Sequence, residues 1–226
     1  MNIALIMAAG SGKRMGVETP KQFLLVNGEP LMWHTLKAFN DNQSIDAIYI
    51  VTNRSYFNKV NELSAEFEKV IDVVEGGETR QESVFNGLKF LKNNGMIDED
   101  IILIHDAARP LVNDIIITNN IVECEKYGAV ITSIPANDSL VRSLDNETVL
   151  NNENRKEIYQ NQTPQTFKLG LILSCYYKVQ NDLASYTDDG QIALASGLKI
   201  HIVNGSKLNF KVTTLEDLKM FEALKS

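Results

Sequence analysis

The sequence predicts an α/β fold built on a parallel sheet, and three observations support this. Short apolar segments alternate with helix-like segments over the first 135 residues. The first of these segments, 1–7, is almost continuously apolar, which is typical of a strand buried on both faces of a parallel sheet. A capping-box pattern, Thr79-x-x-Glu82, stands between two such segments and indicates the start of a helix.

The first half of the chain gives five strands and four helices in alternation. Val84, Leu88 and Leu91 follow the capping box at spacings of four and three, as expected on the buried face of a helix. Pro30 suits the first turn of another. The predicted strands are 1–7, 47–52, 71–76, 101–105 and 129–134, and the predicted helices are 30–39, 56–69, one that begins at 79, and 114–127.

The second half begins with a polar excursion, 137–161, which predicts an arm that projects from the sheet. Asp145-Asn146 suits a turn, so a hairpin is expected there. The predictions that follow are a helix over 169–180, an acidic turn at 187–189, a strand over 199–203, an apparent strand around Lys211, and a last helix capped by Thr213-x-x-Glu216. No internal repeat is evident, so we expect one domain over 1–226 with an arm.

Composition excludes several classes of protein. The chain has 226 residues, 44% of them hydrophobic, and a formal net charge of -7, which argues against a broad nucleic-acid surface. Cys124 and Cys175 are its two cysteines, with no CxxC, so we expect small core residues and not a disulfide framework or a zinc site. No apolar run approaches the ~20 residues that cross a bilayer, and no leader pattern is evident, so a cytoplasmic location without a membrane partner is expected.

A glycine loop follows the first strand and is the strongest candidate site. MAAGSGKRMG (7–16) and the nearby Lys21 gather three cations around glycines in an acidic protein. Glycines let backbone N–H groups approach phosphates closely, and Arg14 and Lys21 add charge. A simple turn is the alternative. The loop lacks the third glycine of the dinucleotide fingerprint and the spacing of a P-loop, which disfavours a nicotinamide-dependent oxidoreductase.

Other polar residues have a structural and a functional interpretation. Asp106 ends an apolar strand, where a carboxylate either caps the next turn or holds Mg²⁺. Asp188-Asp189 is either a helix N-cap or part of a ligand site. Lys211 stands between Phe and Val and faces solvent or a ligand, whereas Arg155 lies in a charged stretch that is typical of a solvated surface. His105 is given no catalytic role.

The ordered motifs resemble the cytidylyltransferases that activate sugar-alcohol phosphates, above all the 2-C-methyl-D-erythritol 4-phosphate cytidylyltransferase family. They span nearly the whole chain: AAGSGKRM (8–15), PKQF (20–23), GGETRQES (76–83), HDAARP (105–110), QTPQTF (162–167), TDD (187–189) and NFKVTT (209–214). The resemblance implies a Rossmann-like, glycosyltransferase-A-like nucleotidyltransferase with a mostly parallel sheet and a β-arm, here 137–161, that interlocks two subunits.

The resemblance also implies roles for individual residues. The transition state would be stabilised by Arg14 and Lys21, and Asp106 would bind Mg²⁺. CTP would contact Ala8, Ala9, Gly10, Ser11, Gly12, Gly77, Arg80 and Ser83. The phosphate and polyol of the second substrate would contact Arg109, Asp138, Ser139, Arg155, Thr187 and Lys211, with Arg155 reaching the partner subunit's site. The family's Asp-Thr pair on the arm is Asp138-Ser139 here.

The implied reaction transfers CMP from CTP to 2-C-methyl-D-erythritol 4-phosphate and releases pyrophosphate, a step of isoprenoid precursor synthesis by the non-mevalonate pathway. Fixed cations lower the barrier between two anions, so no nucleophilic Ser or Cys is required. YQNQTPQTF also resembles the ribitol-5-phosphate cytidylyltransferases, which act in teichoic acid or capsule synthesis. Ala8-Ala9-Gly10 and Ala107-Ala108 favour methylerythritol phosphate. A CTP-binding module without turnover is a further alternative, disfavoured by the full set of cations.

Overall fold

The computed structural model describes residues 1–10 and 19–225, which form an α/β fold. Its strands are β1 (Asn2–Met7), β2 (Leu25–Val26), β3 (Glu29–Pro30), β4 (Ala47–Thr52), β5 (Val70–Glu75), β6 (Ile101–Asp106), β7 (Ala129–Pro135), β8 (Leu140–Arg142), β9 (Asn151–Glu153), β10 (Tyr159–Lys168) and β11 (His201–Asn204). Its α-helices are α1 (Leu31–Asp41), α2 (Phe57–Ser64), α3 (Arg80–Asn93), α4 (Asp114–Tyr127), α5 (Leu169–Val179), α6 (Asp189–Ala195) and α7 (Leu215–Lys225).

Seven of these strands form one sheet in the order β11-β7-β10-β6-β1-β4-β5. All neighbouring pairs are parallel except those of β10, which runs antiparallel to both β6 and β7. The mostly parallel sheet that the sequence predicts is therefore confirmed. In the register of β1 with β6, Met7 stands beside Asp106, so both strands end at the same edge of the sheet.

Helices cover both faces of the sheet, as alternation along β1 shows. Ile3 and Leu5 pack in a cluster with side chains of α3 and α5, whereas Ala4 and Ile6 pack in a second cluster with side chains of α1 and α4. A central strand buried on both faces needs apolar residues at every position, which is why 2–7 shows no polar alternation. Cys124 and Cys175 are free and buried, each in one of the two clusters, as expected.

The sequence did not predict β10, a strand inside the sheet that contains Gln162-Thr163-Pro164-Gln165. Polar residues and a proline argue against a central strand, since proline cannot donate to the ladder. The register with β7 shifts between Asn161 and Gln165, so Pro164 lies at an irregularity where no ladder bond is required of it. The buried polar side chains of this strand are hydrogen-bonded, as for Thr166, which donates to Asn120 Oδ1 at 3.0 Å.

Several predicted helix boundaries are corrected, and α1, for example, ends at Asp41 and not at 39. α2 ends at Ser64, not at 69, because the chain turns before β5 begins at Val70. The last helix is capped one residue later than expected: Thr214 Oγ1 accepts the backbone N–H of Asp217 at 3.2 Å, and Asp217 Oδ2 accepts that of Thr214 at 2.9 Å. Asp217 fits this reciprocal cap because its carboxylate also accepts the Thr213 N–H at 2.8 Å. The capping box at α3 is confirmed.

The predicted excursion contains a hairpin of β8 and β9 in a separate two-stranded sheet. Asp145 Oδ1 accepts the backbone N–H groups of Glu147 and Thr148, and Asn146 has a φ of 62°, so the turn uses the residue types that favour one. Among the described helices, none is both long and apolar enough to cross a membrane.

Candidate active site

The main cleft opens at the carboxyl ends of β1 and β6, where ligands bind in sheets of this kind. It has a volume of about 590 Å³. Many of the residues that the resemblance selects line it together: Ala8, Ala9, Gly10, Lys21, Gly77, Arg80, Ser83, Asp106 and Lys211. Segments that are more than 200 residues apart in the sequence therefore meet in one cleft. Ser11, Gly12 and Arg14 lie outside the described residues, so their predicted roles stay predictions.

One wall of the cleft is the turn that leads into α3. Thr79 Oγ1 accepts the Glu82 N–H at 3.1 Å, and Glu82 Oε2 accepts the N–H groups of Glu78 and Thr79 at 2.8 and 3.2 Å. Ser83 Oγ accepts the Gly77 N–H at 3.0 Å and donates to Thr79 O at 2.8 Å. Ser83, predicted to lie near the nucleoside, thus also fixes the turn. Gly77 has no space for a side chain, because an added Cβ would lie 2.4 Å from Glu82 Cβ.

Asp106 lies at the centre of the cleft among three cations. Lys211 Nζ is 2.7 Å from Oδ2, Arg80 Nε is 3.4 Å from Oδ1, and Arg109 Nε is 3.7 Å from Oδ2. Burial alone would raise the pKa of Asp106, but the charges of Lys211, Arg80 and Arg109 outweigh it and hold the pKa well below its usual range. The carboxylate is therefore ionised, and it reduces the repulsion among the cations around it.

The 209–214 segment brings Lys211 to this carboxylate without being the strand that the sequence suggested. It contains no strand residues, since the Val212 N–H bonds to Ala108 O at 2.8 Å instead of joining the sheet. Lys21 Nζ donates to Val212 O at 2.9 Å, so the two lysines lie on adjoining parts of the cleft wall. Asn209 links this segment to β10, because its Nδ2 donates to Thr163 O at 2.8 Å.

His105 is a structural residue, as expected. It is fully buried and bonded at both ring nitrogens, with Nδ1 3.0 Å from Thr163 Oγ1 and Nε2 3.2 Å from Arg109 O. Burial lowers its pKa to about 3, so the ring is neutral at neutral pH. A neutral ring can accept from the Thr163 hydroxyl and donate to the Arg109 carbonyl, while Thr163 Oγ1 accepts the Asp106 N–H at 3.1 Å. This chain of bonds holds the 105–109 turn in place.

A second cavity of about 480 Å³ adjoins the first, and Lys211 lines both. Arg109 and Asp138 also line it, so three of the six residues predicted for the second substrate lie together. Ser139 and Arg155 instead line a shallow cavity on the arm, where Arg155 Nη1 donates to Asn137 O at 2.7 Å. Thr187 is exposed, and it is not among the described residues that line these three cavities.

Asp106 could hold a divalent cation. In the part of the chain that the structure describes, no three His, Cys, Asp or Glu side chains are grouped to bind a metal. Mg²⁺ often uses one or two carboxylates together with substrate phosphates and water, and a single ionised carboxylate that lines the cleft fits that pattern. A bound cation would compete with Lys211 for Oδ2 of Asp106.

Three polar residues organise the cleft: Asp189, Thr163 and Asn209. The sequence placed them in motifs and left Asp189 as either an N-cap or part of a ligand site, but it did not predict their contacts. Asp188 is the N-cap of α6, accepting the Gln191 N–H at 2.8 Å, which decides between the two interpretations of that residue. Asp189 is fully buried and binds Arg80 through both carboxylate oxygens, at 3.1 and 2.7 Å. The sequence signals for Asp189 were the TDD motif (187–189) and a pair of aspartates, one more than an N-cap requires.

Proteins of one named family are similar to this chain over almost its whole length. A family model described as "IspD: 2-C-methyl-D-erythritol 4-phosphate cytidylyltransferase" matches residues 2–225. The chain is similar to a protein of that name from Thermosipho africanus, with 42% identity over 97% of this chain and 96% of the relative. It is also similar to one from Clostridium novyi, with 38% identity over 99% of this chain and 96% of the relative. It is also similar to the crystal structure of the Francisella tularensis protein, with a TM-score of 0.83 and 29% identity over 99% of both chains. The chain belongs to the 2-C-methyl-D-erythritol 4-phosphate cytidylyltransferase family.

Proposed function

We propose that this chain transfers CMP from CTP to 2-C-methyl-D-erythritol 4-phosphate and releases pyrophosphate, as a step of isoprenoid precursor synthesis. The observation that carries the proposal is the convergence of Lys21, Arg80 and Lys211 beside Asp106, in a cleft that continues into a second cavity. One cavity suits the nucleotide and the other suits the second phosphate substrate. Family membership makes the chain a nucleotidyltransferase and favours methylerythritol phosphate over ribitol 5-phosphate.

The reaction joins two anions, and the arrangement of cations addresses that difficulty. An oxygen of the acceptor's phosphate forms a bond to the α-phosphorus of CTP. The bond from that phosphorus to the bridging oxygen of the β-phosphate breaks, and its electron pair leaves with pyrophosphate. Lys211 lines both cavities, so its ammonium group can face the acceptor phosphate, and Lys21 can face the triphosphate. Charges fixed before binding lower the barrier without covalent catalysis.

The nucleotide side of the cleft is assigned to the first loop and to the start of α3. Backbone groups of Ala8, Ala9 and Gly10 would approach the phosphates, because no described atom beyond the chain neighbours of Gly10 lies within 4 Å of a Cβ added there. Gly77, Arg80 and Ser83 would line the nucleoside side. Mg²⁺ at Asp106 would neutralise and orient the triphosphate.

We propose that the chain acts as a homodimer through its arm. Leu144, Val149 and Leu150 on the arm are 82%, 63% and 60% exposed, which is unfavourable for apolar side chains in water. Ser139 and Arg155 lie on the arm and not in the cleft of their own chain, so an interlocked pair would let them reach the partner's second cavity. Leu144→Asp should yield a monomer in light-scattering measurements, and a wild-type monomer would contradict the proposal. A cytoplasmic location stays a prediction.

The decisive experiment measures pyrophosphate release from CTP with each candidate acceptor. Methylerythritol phosphate should support rapid release and ribitol 5-phosphate should not, and the reverse result would overturn the assignment. UTP and ATP in place of CTP test the choice of base. Lys21→Met should reduce kcat, whereas Lys37→Met removes an equal charge from α1, where Lys37 pairs with Asp41 at 2.8 Å, and should leave kcat unchanged.

A further inference from the structure

Asp189 is a buried carboxylate that lies behind the cleft. It is the first residue of α6, it is 0% exposed, and it is absent from the described lining of the cleft. Its Oδ1 accepts from Arg80 Nη1 at 3.1 Å and from the Tyr176 hydroxyl at 2.6 Å, and its Oδ2 accepts from Arg80 Nη2 at 2.7 Å. An ionised carboxylate is costly to bury unless it is paired and hydrogen-bonded, and Asp189 has both kinds of partner.

The partners of Asp189 are suited to hold one fixed geometry. A two-point contact between a guanidinium and a carboxylate fixes orientation as well as distance. Tyr176 is itself fully buried in α5 and its ring stacks on Phe85 with centroids 5.6 Å apart, so its hydroxyl cannot move far. Burial, with the charge of Asp189, raises the pKa of Tyr176 well above its usual value, so the hydroxyl remains a donor at neutral pH.

The held residue, Arg80, faces the cleft with its remaining edge. Its Nε lies 3.4 Å from Asp106 Oδ1, and its side chain is 24% exposed. A free arginine side chain loses roughly 2 kcal/mol of rotamer freedom when a ligand immobilises it. Because Asp189 already immobilises Arg80, that loss need not occur when the nucleotide binds.

We propose that Asp189 and Tyr176 are positioning residues that hold the Arg80 guanidinium ready for the nucleotide. Neither side chain contacts the reacting atoms. The inference rests on the proposed function, since it assigns Arg80 to CTP. It predicts that weakening either partner reduces the affinity for CTP while the acceptor site keeps its own affinity.

The test compares matched variants in calorimetric CTP binding and in steady-state kinetics. Asp189→Asn keeps the shape but loses the charge, and a hydrogen bond to a charged group corresponds to a roughly tenfold change in affinity. We therefore expect the Kd and the KM for CTP to rise about tenfold, with the acceptor KM unchanged. Tyr176→Phe should raise them by a few fold. Asp188→Asn removes an equal charge from the adjacent residue and keeps the N-cap, so it should bind CTP as the wild type does.

A double-mutant cycle separates positioning from general structural damage. In an Arg80→Met background, Asp189→Asn should cause no further loss of CTP affinity, because the group through which it acts is gone. An additive loss, or wild-type CTP binding by a folded Asp189→Asn variant, would overturn the proposal. Where Asp189→Asn lacks a cooperative melting transition, Tyr176→Phe decides by the same measurements. Failure of the proposed function would instead appear as a wild-type chain without pyrophosphate release, whatever its CTP affinity.

Discussion

Substitution of Gly77 should damage the cleft wall, and the structure gives the size of the effect. A Cβ on Gly77 would lie 2.4 Å from Cβ, 2.9 Å from Oε2 and 3.2 Å from the carbonyl carbon of Glu82. Glu82 lies in the first turn of α3, and its Cβ cannot swing aside as the tip of a long side chain can. In Gly77→Ala, either the 76–79 turn or the start of α3 must therefore move.

That movement would break the hydrogen bonds that cap α3. Glu82 Oε2 would lose the N–H groups of Glu78 and Thr79, and Ser83 Oγ would lose that of Gly77. A lost cap costs about 1 kcal/mol in the free energy of unfolding. One further hydrogen bond costs about 1 kcal/mol. For a chain of this length a total of about 2 kcal/mol lowers Tm by roughly 4 to 8 °C.

The assay is thermal denaturation, followed by the KM for CTP of the folded variant. Gly10→Ala is the control at another glycine of the cleft lining, where no described atom beyond the chain neighbours of Gly10 lies within 4 Å of the added Cβ. It should leave Tm unchanged and raise the KM for CTP, because the methyl group would occupy space that the phosphates need. A Gly77→Ala variant that melts with the wild type and keeps its KM for CTP would refute the steric reasoning.

Three further predictions follow from single contacts. Lys211→Met should raise the acceptor KM by roughly tenfold, the loss expected for one charged hydrogen bond, and an unchanged acceptor KM would contradict its place between the cavities. Both cysteines should resist a thiol reagent until the chain unfolds, because each is buried and burial raises the pKa of Cys124 to about 12. Rapid labelling of the native protein would contradict this prediction. Asp217→Ala should lower the free energy of unfolding by about 1 kcal/mol because it removes the α7 cap, whereas Glu216→Ala should lower it less. Equal losses would favour the Thr213-x-x-Glu216 cap that the sequence predicted.

The sequence predicted those helices and strands whose own residues show the apolar or polar pattern of the element. The apolar segment 47–52 and the helix 114–127 have the bounds in the structure that the sequence predicted. β10 was missed because its burial comes from neighbours on both sides and not from apolar residues of its own. Thr166 can be buried only because Asn120 of α4 accepts its hydroxyl, and no local pattern contains that partner.

The candidate site shows the same division. The glycines and cations were found from the residues and from the resemblance, since they form short, ordered motifs. The pairing of Asp189 was not predicted because its partners, Arg80 and Tyr176, lie 109 and 13 residues away in the chain. The local pattern could suggest an N-cap, which is correct for Asp188, but a pairing across two helices depends on their packing.

The charges of the cleft lead to a test of the proposed Mg²⁺ site. Among the described residues that line the two adjoining cavities, there are five cations and three carboxylates, although the chain has a net charge of -7. Asp106 forms ion pairs with three of these cations, Lys211, Arg80 and Arg109, so without a metal it competes with the triphosphate for them. Asp106→Asn should therefore bind CTP more tightly than the wild type when divalent ions are chelated, because Lys211, Arg80 and Arg109 lose their shared counter-charge. Adding Mg²⁺ should strengthen CTP binding by the wild type more than by the variant, since the variant lacks the ionised oxygen that the ion prefers. Equal strengthening of both proteins in calorimetry would show that Mg²⁺ does not bind at Asp106.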